Sequence, residues 1–207
     1  DIYTFTLTEN VAYELTATDE VGNESILEGE EKFIDKVPPV IHEPLRAIDT
    51  WVTATSYTFT AEDEHCGIKQ VTVRFGEDTP TVLTVDQETG AYSFPVNANG
   101  TYTITVTDLL ENTSNYEVSE TQIDTVKPEI TDLTRRESDW QKKATYTFKA
   151  ADPQSGVAAV TVKIGESEPV TLTESEGVYS FTVEGNDTFE IEVIDTVGNK
   201  ASLTADE

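Results

Sequence analysis

The sequence IDKVPPVI at residues 34–41 recurs as IDTVKPEI at residues 123–130. Five of the eight positions are identical, and the two stretches begin 89 residues apart. A match at a fixed spacing indicates a structural unit that is used more than once. Proline restricts the preceding residue to extended conformations and cannot donate to a β-ladder, so each stretch suits a stiff joint. We therefore interpret these stretches, called the first and second proline segments below, as segments that lead into a new domain.

The repeat continues beyond the proline segments. At the same offset, the sequence YTF at residues 57–59 matches YTF at residues 146–148. Further along, a two-residue difference in a predicted hairpin loop lowers the offset to 87, which is the kind of change that a surface loop tolerates. The beginning of the chain matches only the end of the unit. We therefore predict a truncated repeat at residues 1–33 and complete domains at residues 34–122 and 123–207.

Within one unit, apolar residues alternate with threonine or serine at every second position, as in YTFTA at residues 57–61 and TYTITV at residues 101–106. A period of two is typical of antiparallel strands that bury one face. Turn signals separate these stretches roughly every 8–12 residues, which is typical of immunoglobulin-like domains. The pattern predicts an all-β fold of tandem immunoglobulin-like β-sandwiches, with about seven antiparallel strands each.

The charge of the chain excludes several classes of partner. It contains 13 basic and 40 acidic side chains, for a formal net charge of −27. Nucleic acid is not expected as a partner, because binding to the phosphate backbone requires concentrated positive charge. Membrane insertion is not expected either, since no run of about 18 apolar residues is present. The excess of carboxylates predicts a solvated surface or sites for divalent cations.

Four motifs follow one another in the second complete copy: DxxxP at residues 124–128, YTFxAxDxxxG at 146–156, GxYSF at 177–181 and DTVGN at 195–199. This set resembles the tandem bacterial immunoglobulin-like, or fibronectin-III-like, domains of cell-surface and secreted proteins. The resemblance covers essentially the whole chain.

The resemblance implies a non-catalytic spacer or stalk segment of an extracellular bacterial surface protein. Its partners would be the neighbouring repeats of the same chain, and in some members calcium stiffens the domain joints. The alternative is a binding module, either an adhesin that recognises a host protein or glycan, or a carbohydrate-binding accessory module of a secreted glycosidase.

The predicted fold brings acidic side chains from three segments to one end of each domain. In such a sandwich, the proline segment and two loops, B–C and F–G, meet at the same end. Calcium takes six to eight oxygen ligands, and this end could supply several. The alternative is that each side chain only caps its own turn. The candidate calcium ligands are Asp35, Asp63, Glu64, Asp108 and Asn112 in the first copy, and Asp124, Asp152, Asp195 and Asn199 in the second.

No catalytic site is predicted. The two histidines, His42 and His65, align with Thr131 and Gln154, so neither belongs to the repeating plan. No order or spacing suggests a set of serine, histidine and aspartate. The single cysteine, Cys66, is replaced by serine in the next copy, so the repeat does not depend on it.

Trp51 and Trp140 occupy one repeat position. An indole at such a position either closes the end of the sandwich or offers a flat surface on which a sugar ring can stack. The recurrence favours the first interpretation for both residues, and stacking remains the alternative.

Overall fold

The computed structural model describes residues 2–207, and all regular elements in them are β-strands. None of these residues forms a helix that could span a membrane. The strands, in chain order, are β1 (Ala12–Thr18), β2 (Glu24–Glu30), β3 (Val40–Ile41), β4 (Leu45–Arg46), β5 (Thr55–Phe59), β6 (Ala61–Glu62), β7 (Ile68–Phe75), β8 (Thr81–Leu83), β9 (Tyr92–Val96), β10 (Gly100–Asp108), β11 (Thr113–Glu120), β12 (Glu129–Arg135), β13 (Ala144–Ala151), β14 (Val157–Ile164), β15 (Val170–Thr171), β16 (Tyr179–Val183), β17 (Thr188–Asp195) and β18 (Lys200–Asp206).

The chain divides into two compact units. The first contains the residues up to Pro44 together with Thr58–Ser93 and Tyr102–Val118. The second contains Leu45–Tyr57, Phe94–Thr101 and Ser119–Glu207. The boundaries predicted at residues 34 and 123, and the tandem arrangement of whole domains, stay predictions.

Residues 129–206, which lie within the second unit, form a sandwich of two antiparallel sheets. One sheet has the strand order β12-β13-β16, and the other has the order β15-β14-β17-β18. Three strands facing four, in this order, are the layers of an immunoglobulin-like or fibronectin-III-like sandwich. The alternating side chains account for its core, because every second residue of β17 is buried: Phe189, Ile191 and Val193 are at most 1% exposed. The prediction of an all-β, immunoglobulin-like fold is therefore confirmed.

The same two strand orders occur earlier in the chain, as β4-β5-β9 and β11-β10-β7-β8. Alternation again decides which side chains are inside. In β10, Ile104 and Val106 are fully buried, while the alternating Thr103 and Thr105 are only partly covered. The short strands β3 and β6 form a separate pair in which Val40 faces Glu62.

Strands β1 and β2 form a two-stranded hairpin in which Tyr13 pairs with Gly29. Its side chains are mostly exposed, and Leu27 in β2 is 63% exposed. The turn between the strands is nevertheless well defined. Asp19 Oδ1 accepts hydrogen bonds from the backbone N–H groups of Val21 and Asn23, at 3.0 and 2.8 Å. The Asn23 amide donates to the other carboxylate oxygen of Asp19, at 2.7 Å.

Candidate metal centres

The first candidate centre, called the first cluster below, consists of Asp35, Asp63, Cys66 and Asp108. Each residue offers one ligand atom, and these atoms all lie within 4.8 Å of one another. Asp35 comes from the first proline segment, Asp63 and Cys66 from the loop between β6 and β7, and Asp108 from the end of β10. The proline segment and the two loops thus meet as expected from the sequence.

The second cluster consists of Asp124, Asp152 and Asp195, whose ligand atoms also lie within 4.8 Å of one another. These residues occupy the repeat positions of Asp35, Asp63 and Asp108. Asp124 is fully buried and Asp195 is 1% exposed. The structure therefore brings together six of the nine predicted ligands, three in each cluster.

The loop carboxylates Asp63 and Asp152 each use one oxygen to cap a turn. Asp63 Oδ1 accepts three backbone N–H groups of its own loop at 2.8–3.1 Å, and Asp152 Oδ1 accepts two at 3.0 Å. The second oxygen of each carboxylate, Oδ2, is shielded from solvent and has no hydrogen-bond partner. Turn capping therefore accounts for only one of the two oxygens in each carboxylate.

The proline-segment carboxylates differ in how fully they are bonded. Asp35 Oδ1 accepts a hydrogen bond from the Val37 N–H at 2.9 Å, whereas Asp35 Oδ2 is shielded and has no partner. The Asp35 side chain is only 4% exposed. In the second cluster, Asp124 accepts hydrogen bonds from the backbone N–H groups of Val126 and Ser155, at 2.9 and 3.1 Å.

Asn112 and Asn199 hold the third carboxylate of each cluster. The Asn112 amide donates to Asp108 Oδ2 at 2.7 Å and to the backbone oxygen of Asp35 at 3.5 Å. Asn199 makes the corresponding bonds to Asp195 Oδ2 at 2.7 Å and to the backbone oxygen of Asp124 at 3.3 Å. Each asparagine therefore orients an aspartate and ties its loop to the proline segment. Its amide nitrogen, which cannot bind a cation, is the atom engaged in these bonds.

Glu64 is the one predicted ligand that the structure leaves out. Its side chain is exposed, and it is not among the groups that converge in the first cluster. The preceding residue, Asp63, caps the loop with its side chain, and Glu64 lies at the edge of the cleft that Asp35 and Cys66 also line.

Hydrogen bonds keep several of these carboxylates ionised. Burial alone would raise the pKa of Asp108, but the bonds from Asn112 outweigh it and the pKa is lowered. Burial alone would likewise raise the pKa of Asp124, but hydrogen bonds from Ser155 and Val126 outweigh burial and the pKa is lowered. The pKa of Asp63 is lowered, chiefly by the N–H of Gly67.

The clusters lack a protein counter-charge. Within residues 2–207, no lysine or arginine forms an ion pair with any of the six aspartates. The nearest ion-pair candidate is His65, whose Nδ1 lies 3.7 Å from Asp35 Oδ1. Burial and the neighbouring Asp35 carboxylate raise the pKa of the Cys66 thiol to about 11, so the thiol is neutral. Such a group of oxygen atoms has the chemistry of a divalent-cation site.

The loops that follow β1, β10 and β17 each place one residue in the same backbone region. Glu111 occupies the repeat position of Gly22 and Gly198, and all three have positive φ, at 70°, 88° and 96°. Side chains are unfavourable in this region, so Glu111 is strained relative to the two glycines. Its carboxylate pairs with Lys69.

A second recurring arrangement, not predicted from the sequence, joins arginine, glutamate and tyrosine. Arg46 Nε donates to Glu120 Oε2 at 2.8 Å, and the Tyr57 hydroxyl donates to the same oxygen at 3.3 Å. The side chains of Arg46 and Glu120 are 11% and 2% exposed. The next copy repeats the set as Arg135, Tyr146 and Glu207. The signal was present in the sequence, because all three residue types recur at the repeat offsets.

The two tryptophans have different environments. Trp51 is half-buried, whereas Trp140 is 96% exposed. The expectation that both residues close a sandwich end is therefore wrong for Trp140. Trp140 lies beside a cavity of about 330 Å³ whose lining includes Arg135, Asp139 and Asn186.

The strand order defines an immunoglobulin-like or fibronectin-III-like β-sandwich. No protein-family model matches the sequence, and no curated protein matches it. Among solved structures, the chain is similar to the fibronectin(III)-like modules of CbhA from Clostridium thermocellum, with 14% identity, a TM-score of 0.36, and coverage of 79% of this chain and 92% of that one.

Two further solved structures are similar to this chain. Dimeric latent PorU from Porphyromonas gingivalis has 16% identity and a TM-score of 0.33, and the match covers 94% of this chain but only 23% of that one. Murine CEACAM1b has 10% identity and a TM-score of 0.35, with coverage of 81% and 98%. The fold assignment for this chain rests on its own strand order.

Proposed function

We propose that this chain is a non-catalytic spacer segment of an extracellular bacterial multidomain protein, and that each carboxylate cluster binds Ca²⁺. The observation that carries the proposal is the recurrence of one arrangement at two places. In both clusters three aspartates from a proline segment and two loops converge within 4.8 Å.

The unpaired carboxylate oxygens favour a cation over turn capping alone. Oδ2 of Asp35, Asp63 and Asp152 is shielded from solvent and accepts no hydrogen bond. Burying a charged oxygen without a partner is costly, and a divalent ion would offset that cost as well as the repulsion between the carboxylates. Capping of the turns already uses other oxygens of the same side chains, so the two roles are compatible.

The position of the clusters supports a role as a spacer. Each ion would join a proline segment to two loops of its own copy, and this would restrict motion of the segment that leads into the domain. The net charge of −27 opposes self-association. A solvated acidic surface with stiffened joints suits a segment that holds other parts of a protein apart.

Thermal unfolding of the full chain in calcium or in a chelator tests the calcium proposal. An ion at about 100 times its dissociation constant adds roughly 2.7 kcal/mol to the free energy of unfolding. At about 4–8 °C per kcal/mol for a domain of this size, the melting temperature should rise by roughly 10–20 °C. Asp63→Asn and Asp152→Asn keep a capping oxygen and should each remove one binding site. Glu117→Gln is the matched control, because Glu117 is exposed on β11 and belongs to neither cluster, and it should respond like the wild type.

An unchanged melting temperature in calcium, with no calcium retained on equilibrium dialysis, would remove calcium from the proposal. The spacer role has a separate test in small-angle scattering of the full chain, where a compact particle with its parts folded together would contradict it.

A second function, binding of a glycan, is favoured by Trp140. Its indole is 96% exposed and adjoins a cavity with polar side chains, which is the combination that stacks on and hydrogen-bonds to a sugar. A glycan array probed with the wild type and with Trp140→Ala distinguishes the two functions. A spacer binds in neither form, whereas a glycan-binding module loses its signal in the variant.

A further inference from the structure

The two clusters differ at one position that changes their metal chemistry. Cys66 contributes a sulfur atom to the first cluster, and its repeat partner in the second copy is Ser155. Sulfur is a soft ligand that selects zinc and related metals, whereas carboxylate and carbonyl oxygens suit calcium. The same scaffold therefore presents two different sets of ligands.

We propose that the first cluster, which can bind Ca²⁺ through its carboxylates, prefers a thiophilic divalent cation such as Zn²⁺, with Cys66 Sγ as a ligand, and that the second cluster keeps the preference for Ca²⁺. This inference rests on the proposed function, since it refines the metal that one of the two sites takes. The ligands would be the sulfur of Cys66 and carboxylate oxygens of Asp35, Asp63 and Asp108.

The geometry suits a small tetrahedral ion. Zinc binds sulfur at about 2.3 Å and carboxylate oxygen at about 2.0–2.2 Å, so its ligand atoms lie roughly 3.3–3.7 Å apart. The four ligand atoms of the first cluster already lie within 4.8 Å of one another. An inward movement of about 1 Å by side chains is enough to close a four-coordinate site.

An independent observation points to a ligand at this place. The Asp35 side chain is only 4% exposed, and its Oδ2 is shielded and has no hydrogen-bond partner. The neighbouring Cys66 thiol donates to the backbone oxygen of Gly67 at 3.7 Å and also interacts with the carboxylates of Asp35 and Asp108, so its sulfur lies among the oxygens that would share the ion. A metal ion would engage both groups at once.

A second potential zinc ligand stands beside the cluster in this copy alone. The Nδ1 atom of His65 lies 3.7 Å from Asp35 Oδ1, and the His65 side chain is 41% exposed, so its ring has room to rotate. The repeat partner of His65 is Gln154. The two residue types that favour zinc thus occur together in the first copy, and neither occurs in the second.

The site is open to an ion from solution. A cleft of about 410 Å³ is lined by side chains that include Phe33, Asp35, His65 and Cys66. On binding, the S–H bond of Cys66 breaks and a sulfur–metal bond forms, and the proton passes to the buffer. No oxidation or reduction takes place, so no further reactant is needed.

The test uses the full chain, freed of metal and kept reduced, titrated with Cd²⁺ as a spectroscopic probe of thiolate coordination. The wild type should develop one equivalent of an ultraviolet sulfur-to-metal charge-transfer band. Cys66→Ser copies the residue of the second cluster and should abolish the band. Loss of a residue that merely supports a metal ligand lowers affinity about 10- to 100-fold, so loss of the sulfur should weaken Zn²⁺ binding at least about 100-fold.

Two more variants make the result specific. Ser155→Cys should gain a band at the second cluster, which keeps the test informative even if Cys66→Ser folds poorly. Asp35→Asn should weaken Cd²⁺ binding at least tenfold, because the carboxylate shares the ion. A band of unchanged affinity in Asp35→Asn would show that the thiol binds alone, and this would overturn the proposal.

The outcomes separate this inference from the proposed function. Calcium stabilisation without a charge-transfer band in the wild type would overturn the inference and leave calcium binding in place. A band without calcium stabilisation would support the thiophilic site and contradict the general calcium proposal. Equal Zn²⁺ affinity of the wild type and Cys66→Ser would also overturn the inference.

Discussion

Replacing Glu120 by glutamine tests the buried group that joins arginine, glutamate and tyrosine. Glu120 Oε2 accepts from Arg46 and Tyr57, and Oε1 accepts from the backbone N–H groups of Thr121 and Gln122, at 2.9 and 2.7 Å. The glutamine amide keeps one acceptor, presents an N–H₂ to the remaining donors and leaves the Arg46 guanidinium without its counter-charge.

Arg46 and Glu120 are 11% and 2% exposed, so solvent cannot replace the lost partner. Removing one member of a buried ion pair costs about 3–5 kcal/mol, and we expect a loss of this size in Glu120→Gln. Tyr57→Phe removes a single hydrogen bond and should cost about 1 kcal/mol. The double variant Arg46→Met/Glu120→Gln should recover part of the loss, because no unpaired charge remains.

Urea unfolding followed by circular dichroism measures these differences. Glu117→Gln is the matched control, since Glu117 lies on the same strand, β11, with an exposed side chain. Glu207→Gln should lose less than Glu120→Gln, because Glu207 and its partner Arg135 are 14% and 29% exposed. A loss in Glu120→Gln below about 1 kcal/mol, or equal to that of Glu117→Gln, would refute the argument from burial.

Three other outcomes are expected. The free energy of unfolding should be steady above about pH 5 and fall below about pH 4. Burial alone would raise the pKa of Glu120, but hydrogen bonds from Arg46 outweigh burial and lower it in the folded state, and a lowered pKa gives stability that is lost on acidification. Acid titration of Glu120→Gln should show a shallower fall, and a curve identical to that of the wild type would contradict this. Gly198→Ala should cost about 1 kcal/mol in urea unfolding through its φ of 96° alone, as nothing lies within 4 Å of an added Cβ. Trp140→Ala should change stability by less than about 0.5 kcal/mol by calorimetry, and a larger drop would mean that the indole packs in solution.

Much of the fold could be predicted from the sequence because burial in a strand has a period of two. The alternation that identified β10 also identified its buried residues, Ile104 and Val106. The convergence of Asp35, Asp63 and Asp108 followed from the topology of the sandwich, which brings the proline segment and two loops to one end. Local pattern and topology were sufficient for these features.

Other features depend on contacts that local pattern does not encode. The ion pair of Arg46 and Glu120 joins residues 74 positions apart, and an acidic residue near the end of a strand is ordinarily solvated. Trp51 and Trp140 occupy the same repeat position, but Trp51 is half-buried and Trp140 is exposed. The residue after Trp51, Val52, exchanges backbone hydrogen bonds with Gln122 and Asp124. The presence of tryptophan at both repeat positions does not predict this pairing.

The hydrogen bonds of the Asp19 turn have a consequence for how the chain folds. Asp19 and Asn23 form the same three bonds as Asp108 with Asn112 and Asp195 with Asn199, although their hairpin is mostly solvent-exposed. The five residues of this motif therefore satisfy their turn hydrogen bonds among themselves, without contacts from a surrounding core. Hairpins close in about 1–10 μs, well before distant strands find each other, so these loops are suited to set the strand register early in folding.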